Sequence, residues 1–180
     1  MSSAVIERRY NPVAKTFHWL VVLLIVMQYC TELVLPYFLP KAMQDGLVAW
    51  HLSLGPTILL ITLLRLVWRL KHPPPAPPGD LPMVLRLISR VTHWLFYVML
   101  ILLPVLGWVA ASAYGAKVYL LGVVPLPSIA AKNDAFGESM GGIHGTVALS
   151  LLALIVVHVA GALYHGLVKC DGVMQRMLPD

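Results

Sequence analysis

Four long, mostly apolar stretches constrain this chain more than any other feature of its sequence. A hydrocarbon core about 30 Å thick takes about 20 helical residues to cross. Within lipid every backbone N–H and C=O must be satisfied internally, which leaves helices or closed barrels. The stretches lie near residues 17–36, 48–70, 91–112 and 143–167, and no strand-like alternation competes with them. Composition agrees: 59% of the 180 residues are apolar and 12% charged, against about 25% charged in soluble domains. The expected fold is all-α, an integral membrane four-helix bundle forming a single domain over residues 1–180. No nucleic-acid partner is expected.

The first stretch follows Arg8, Arg9 and Lys15, as in a secretory leader. It is longer than a leader's apolar region of 7–15 residues, and no clear small-residue cleavage site ends it, so a retained helix is expected. Cys30 falls in an apolar run and Cys170 near the C-terminus. These different depths argue against a disulfide, and two cysteines make no zinc or iron–sulfur cluster. The second connection carries the proline run from Pro73 to Pro78, a stiff extended linker. The third, 113–142, is the longest and has room for short interfacial pieces. Lys and Arg set the orientation. Arg8, Arg9, Lys15, Arg65, Arg69, Lys71, Arg86, Arg90, Lys169 and Arg176 lie at the end of the termini, and Lys41, Lys117 and Lys132 at the other. Both termini are therefore expected on the cytoplasmic side.

Histidine inside a span is costly and marks a functional site. Of the seven, His72 falls in the proline-rich linker and reads as solvated. His144 and His158 are 14 residues apart. That is about 40° around a helix and about 21 Å along it, so they share a face at two depths. His18 opens the first span at the inner level, and His51 opens the second at the outer level. Depth thus pairs His18 with His158 and His51 with His144. Such an arrangement suits two haems, each held by two axial imidazoles from different helices. Packed, hydrogen-bonded histidines are the plainer reading of any one alone. Pairs about 20 Å apart cannot share one ion, and no carboxylates cluster beside them.

The neighbours are compatible with this reading. Gly55, Gly145 and Gly161 follow or lie one turn from His51, His144 and His158, where a flat macrocycle could approach, though small residues also serve helix packing. Arg65, 14 residues after His51, should face the interior at the inner level and could fork onto haem propionates, or else snorkel to the surface. Glu32, 14 residues after His18, reads as a solvated carboxylate near the outer surface. His93 and His165 both lie at the inner end. His165 could replace His158 as ligand, hydrogen-bond a quinone carbonyl or supply a proton. Lys15 and Thr16 would border the same place.

A set of pieces lies along the chain: Phe17-His18-Trp19-Leu20, His51-Leu52-Ser53-Leu54-Gly55, Arg65-Leu66-Val67-Trp68-Arg69-Leu70 before the prolines, Leu103-Pro104-Val105-Leu106-Gly107-Trp108, His144-Gly145, His158 with His165, and Asp171-Gly172-Val173-Met174 through Arg176-Met177-Leu178-Pro179. In these pieces the sequence resembles the bacterial cytochrome b-561 family, whose members lie in the bacterial inner membrane. The resemblance covers nearly the whole chain, in order. It implies a four-helix membrane cytochrome with two b haems per chain, ligated by His18, His51, His144 and His158. One member type looks like a superoxide oxidase, which takes an electron from superoxide outside and delivers it to ubiquinone. Superoxide is anionic, so Lys117 and Lys132 on the outer connection are candidates for steering it, although Asp134 and Glu138 share that connection.

The expected path runs from an outside donor, superoxide or another small molecule, past the His51/His144 level to the His18/His158 level and then to ubiquinone near His18, Lys15, Thr16 and His165. A different class of reading is an electron-transfer subunit serving a partner dehydrogenase or hydrogenase. It would need a docking surface and would not react with superoxide.

Overall fold

The computed structural model describes residues 9–76 and 82–179. Arg8 of the inner cations and Pro77 and Pro78 of the proline run lie outside them. Among the described residues, four helical stretches have the length and apolarity to cross a membrane: Pro12–Phe38, Lys41–Lys71, Met83–Ala113 and Asp134–Lys169. The first contains α1 (Pro12–Tyr29), a π-helical turn (Cys30–Val34) and α2 (Leu35–Phe38). The second is α3 (Gln44–Lys71), entered through a 3-10 turn. The third is α4 (Met83–Ala113). The fourth is α5 (Asp134–Leu163), ending in a second π-helical turn (Tyr164–Lys169).

Each spanning stretch extends past its apolar run because polar residues can continue a helix beyond the hydrocarbon. Asn11 caps α1 by accepting the Ala14 N–H at 2.8 Å, with Pro12 set in the first turn, where its missing N–H costs nothing. Asn133 caps α5 by accepting from Phe136 N–H, so that helix begins nine residues before the apolar run at 143. α4 starts early because Arg86 and Arg90 continue its first turns. Pro56 and Pro104 lie inside α3 and α4, as membrane helices tolerate when neighbours satisfy the freed carbonyls.

Helices adjacent in the chain pack together: α1 on α3, α3 on α4, α4 on α5. The ring closes where the Tyr29 hydroxyl donates to the Ala148 carbonyl at 2.6 Å. At mid-height Val21, Leu24, Leu54, Ile58, Leu100 and Leu151 form a buried apolar plug. Leu151 is 1% exposed and lies midway between His144 and His158. Lipid is as apolar as these side chains, so close packing rather than escape from water holds the plug.

The connection after α4 folds back over one end of the bundle. Tyr119–Leu120 and Val124–Pro125 form a small antiparallel hairpin, a local pairing that period-2 alternation did not signal. Leu121 (φ 54°) and Gly122 (φ 73°) make its turn, and Thr57 Oγ1 accepts the Leu121 N–H at 3.2 Å. At the opposite end the two termini meet. Tyr10 N–H donates to the Arg176 carbonyl, and Trp19 Nε1 donates to the Met177 carbonyl at 2.9 Å.

Candidate functional site

The histidines lie at two levels, one on each side of the plug. At the level away from the termini, His51 on α3 and His144 on α5 face each other with ring centroids 6.1 Å apart and planes at 71°. Two imidazoles sharing one metal ion, with bonds of about 2 Å and ring centres about 1 Å further out, would stand about 6 Å apart. The pair therefore fits two axial ligands of one haem iron. His144 Nδ1–H donates to the Leu103 carbonyl at 3.0 Å, which fixes the tautomer and leaves the Nε2 lone pair free for iron. Gly107 makes this seat possible: a Cβ there would lie 2.9 Å from His144 Cε1. The motif around Pro104 thus supplies both the acceptor and the gap, roles that the sequence reading did not assign.

His51 Nδ1 lies 3.5 Å from Thr31 Oγ1 and 3.8 Å from a Glu32 carboxylate oxygen. Thr31 and Glu32 belong to the π-helical turn, whose extra residue per turn shifts them toward α3. Glu32 remains largely exposed. A cleft of about 530 Å³ opens beside this level, lined in part by Asp45, Leu52, Ser53 and Lys117.

The level near the termini holds three histidines. His93 on α4 and His158 on α5 stand 5.9 Å apart at 82°, with Phe96 edge-on to His158 at 5.2 Å. His93 Nδ1–H donates to the Ser89 carbonyl at 2.6 Å, which frees its Nε2. His18 on α1 is within electrostatic range of both. Arg65 Nη2 donates to His18 Nδ1 at 3.1 Å. In a neutral ring that bond puts the proton on Nε2, so ligation through Nε2 would require Nδ1 to take the proton instead. The guanidinium groups of Arg65 and Arg69 lie 5.8 and 5.7 Å from the Tyr97 ring centre. Arg65 therefore points into the bundle. His93, which the sequence places only at the inner end with no assigned role, joins this cluster through the packing of α4 on α5.

Gly55 is half-buried, and an added Cβ there would meet nothing within 4 Å. Gly145 and Gly161 are exposed, so the emptiness around them is open space beyond the bundle. Among the described residues no three His, Cys, Asp or Glu side chains converge as a bare metal ion would need. Two imidazoles and a four-nitrogen macrocycle would instead complete six ligands.

Of the other candidates, Lys15 is 5% exposed. The Thr16 hydroxyl donates to the Pro12 carbonyl of its own helix. His165 Nδ1 donates to Asp171 Oδ2 at 2.6 Å. Burial alone would raise the Asp171 carboxyl, but hydrogen bonds from His165 and from the Val173 N–H outweigh it and hold the carboxyl below its ordinary value. His72 stacks on Trp68 at 3.9 Å, exposed at the linker. Lys132 approaches Gly115 in the connection after α4.

Four membrane-length helices with histidine rings set across them define a helical membrane protein whose imidazoles are spaced to fit a haem. Sequence comparison gives the family: the model of the prokaryotic cytochrome b561 family matches residues 9–180, and the chain belongs to that family. It is therefore a multi-pass bacterial membrane protein of haem-b electron transfer. A probable superoxide oxidase, CybB, of Yersinia pestis is 28% identical over 174 residues, covering 96% of this chain and 97% of that protein. Cytochrome b561 homolog 2 of Escherichia coli K12 is 28% identical over 186 residues, covering 99% and 95%. Cytochrome b561 homolog 1 of the same strain is 25% identical over 174 residues.

Proposed function

We propose that this chain holds two b haems and carries electrons across the inner membrane from superoxide outside to ubiquinone on the cytoplasmic side, where both termini lie. The observation that carries this reading is the pair of imidazole levels separated by an apolar plug. His51 and His144 hold the outer haem. His18 and His158 hold the inner one, and Arg65 and Arg69 are placed to neutralise its propionates. Bound haem supplies reversible one-electron chemistry, and two axial imidazoles disfavour oxygen binding at iron. The protein's part is to hold the rings, keep water out of the plug and set the charge at each level. Lys117, in the cleft beside His51, offers a cation to an anionic donor. Lys15, Thr16 and His165 line the quinone end.

The distance between His93 and His158 favours a second ligand assignment, with His93 replacing His18. Haem content after replacing each with alanine separates the two, because only the true ligand is needed for the inner haem. For the reaction, purified protein loaded with haem is mixed with superoxide and ubiquinone-1. Quinol should form at the expense of superoxide. A fully loaded sample that makes none would instead be an electron-transfer subunit for a partner protein.

A further inference from the structure

Residues 170–179 form a strap that crosses the mouth of the bundle at the end of the termini. Cys170 and Gly172 take positive φ, 50° and 78°, and turn the chain back on the end of the fourth span. Met174 then fills the space above Gly166, where a Cβ would lie 2.6 Å from its sulfur. The strap is tied to α1 through Trp19 and Tyr10, and to the proline linker by Arg176 Nη1 donating to the Ala76 carbonyl at 2.9 Å. Its first turn presents Asp171 to His165, and both side chains are largely covered, at 22% and 20% exposed. Each carboxylate oxygen has a role: Oδ2 accepts from His165 Nδ1, and Oδ1 accepts the Val173 N–H at 3.2 Å.

We propose that Asp171 is a positioning residue for quinone reduction, holding His165 so that its Nε2 delivers a proton to the bound quinone. The proposal rests on the quinone site suggested above. A carboxylate on Nδ1–H fixes the ring's tautomer and orientation and stabilises the imidazolium formed when Nε2 takes a proton. The arrangement suits a group that must be charged before it gives and neutral after. Quinone gains two electrons, released by oxidation of two superoxide ions to oxygen, and two protons from water on the side of the termini. His165 Nε2 hands over one of these protons and is reprotonated from that water, while Asp171 stays ionised throughout. Lys169, beside Asp171, favours that ionised state. Sequence spacing alone could not show this, because the left-handed turn at Cys170 is what folds Asp171 back onto His165.

The test uses haem-loaded protein, reduced with a stoichiometric chemical reductant and mixed with ubiquinone-1, so that the natural donor plays no part. Amide hydrogen exchange of residues 170–179 is followed in parallel. Asp171→Asn keeps the side chain's shape and removes its charge. It should lower kcat for quinone reduction by about 10- to 100-fold, in the range of general acid catalysis, with KM little changed, only a small rise in strap exchange and wild-type haem content. Asp171→Glu should recover part of the rate. Wild-type kcat in Asp171→Asn, with His165→Ala impaired, would overturn the role of Asp171 and leave the quinone site standing. Faster exchange in the strap with a raised KM and unchanged kcat would make Asp171 purely structural and overturn it as well. Full quinone reduction by His165→Ala would overturn the quinone site itself, and the proposal with it.

Discussion

The two histidine levels are built alike but charged differently. At the outer level, two imidazoles face each other, one ring is fixed by a backbone carbonyl, and the nearest charge is the carboxylate of Glu32. At the inner level, three imidazoles gather beside two guanidinium groups, one of which touches His18. Charges are weakly screened in a bilayer interior. Cations favour the reduced form of a nearby haem and a carboxylate favours the oxidised form. On the proposed two-haem reading, the difference would bias electrons to run from the outer level to the inner one, a direction that the ligands alone do not set.

The largest expected effect separates the levels outright. Replacing His51 or His144 with alanine should remove one of two haems, halving the Soret absorbance per chain while the inner haem still titrates. Loss of both haems together would show that the levels are not independent. Gly107→Ala should act on the same level more gently. The new Cβ displaces the His144 ring at a cost of about 1–3 kcal/mol, so the outer haem should dissociate more readily on heating, followed by the loss of its absorbance. Next come the charges. Arg65→Gln should lower the inner haem's potential by on the order of 50–100 mV, from about 1–2 kcal/mol for a charge near 10 Å at an effective dielectric of 20. Glu32→Gln, at a more exposed group, should raise the outer potential by less. Equal shifts of both haems in a spectroscopic redox titration of either variant would erase the asymmetry.

The smallest effect is at the strap. The folded pKa of Asp171 lies below its ordinary value. Its contribution to holding the strap is thus complete above the unfolded value of about 3.9 and lost as pH falls through the lower folded one. Proteolysis near residues 170–179 should stay slow at neutral pH and rise only in acid below that range. An equal rise in Asp171→Asn at neutral pH and in the wild type in acid would fit a charge-dependent latch. A flat acid profile in the wild type would not.

The four spans are legible in the sequence because apolar runs of bilayer length have few alternatives. Their ends are not, since Asn11 and Asn133 cap helices well outside the hydrocarbon. The depths of His18, His51, His144 and His158 follow from helical rise alone, and the structure places His51 against His144. What periodicity cannot carry is how neighbouring helices cross. The gap at Gly107 for His144, the approach of His93 to His158 and the return of Asp171 to His165 all depend on such crossings or on a left-handed turn. The π-helical turn bringing Thr31 and Glu32 to His51 breaks the 3.6-residue repeat itself.

Haem-to-protein stoichiometry in a reduced-minus-oxidised titration of the purified chain tests two separate haem levels most directly. Two b haems per chain, titrating in two one-electron steps with the Arg65-sensitive step at the higher potential, are expected. A single haem per chain, or an Arg65-sensitive step at the lower potential, would contradict it.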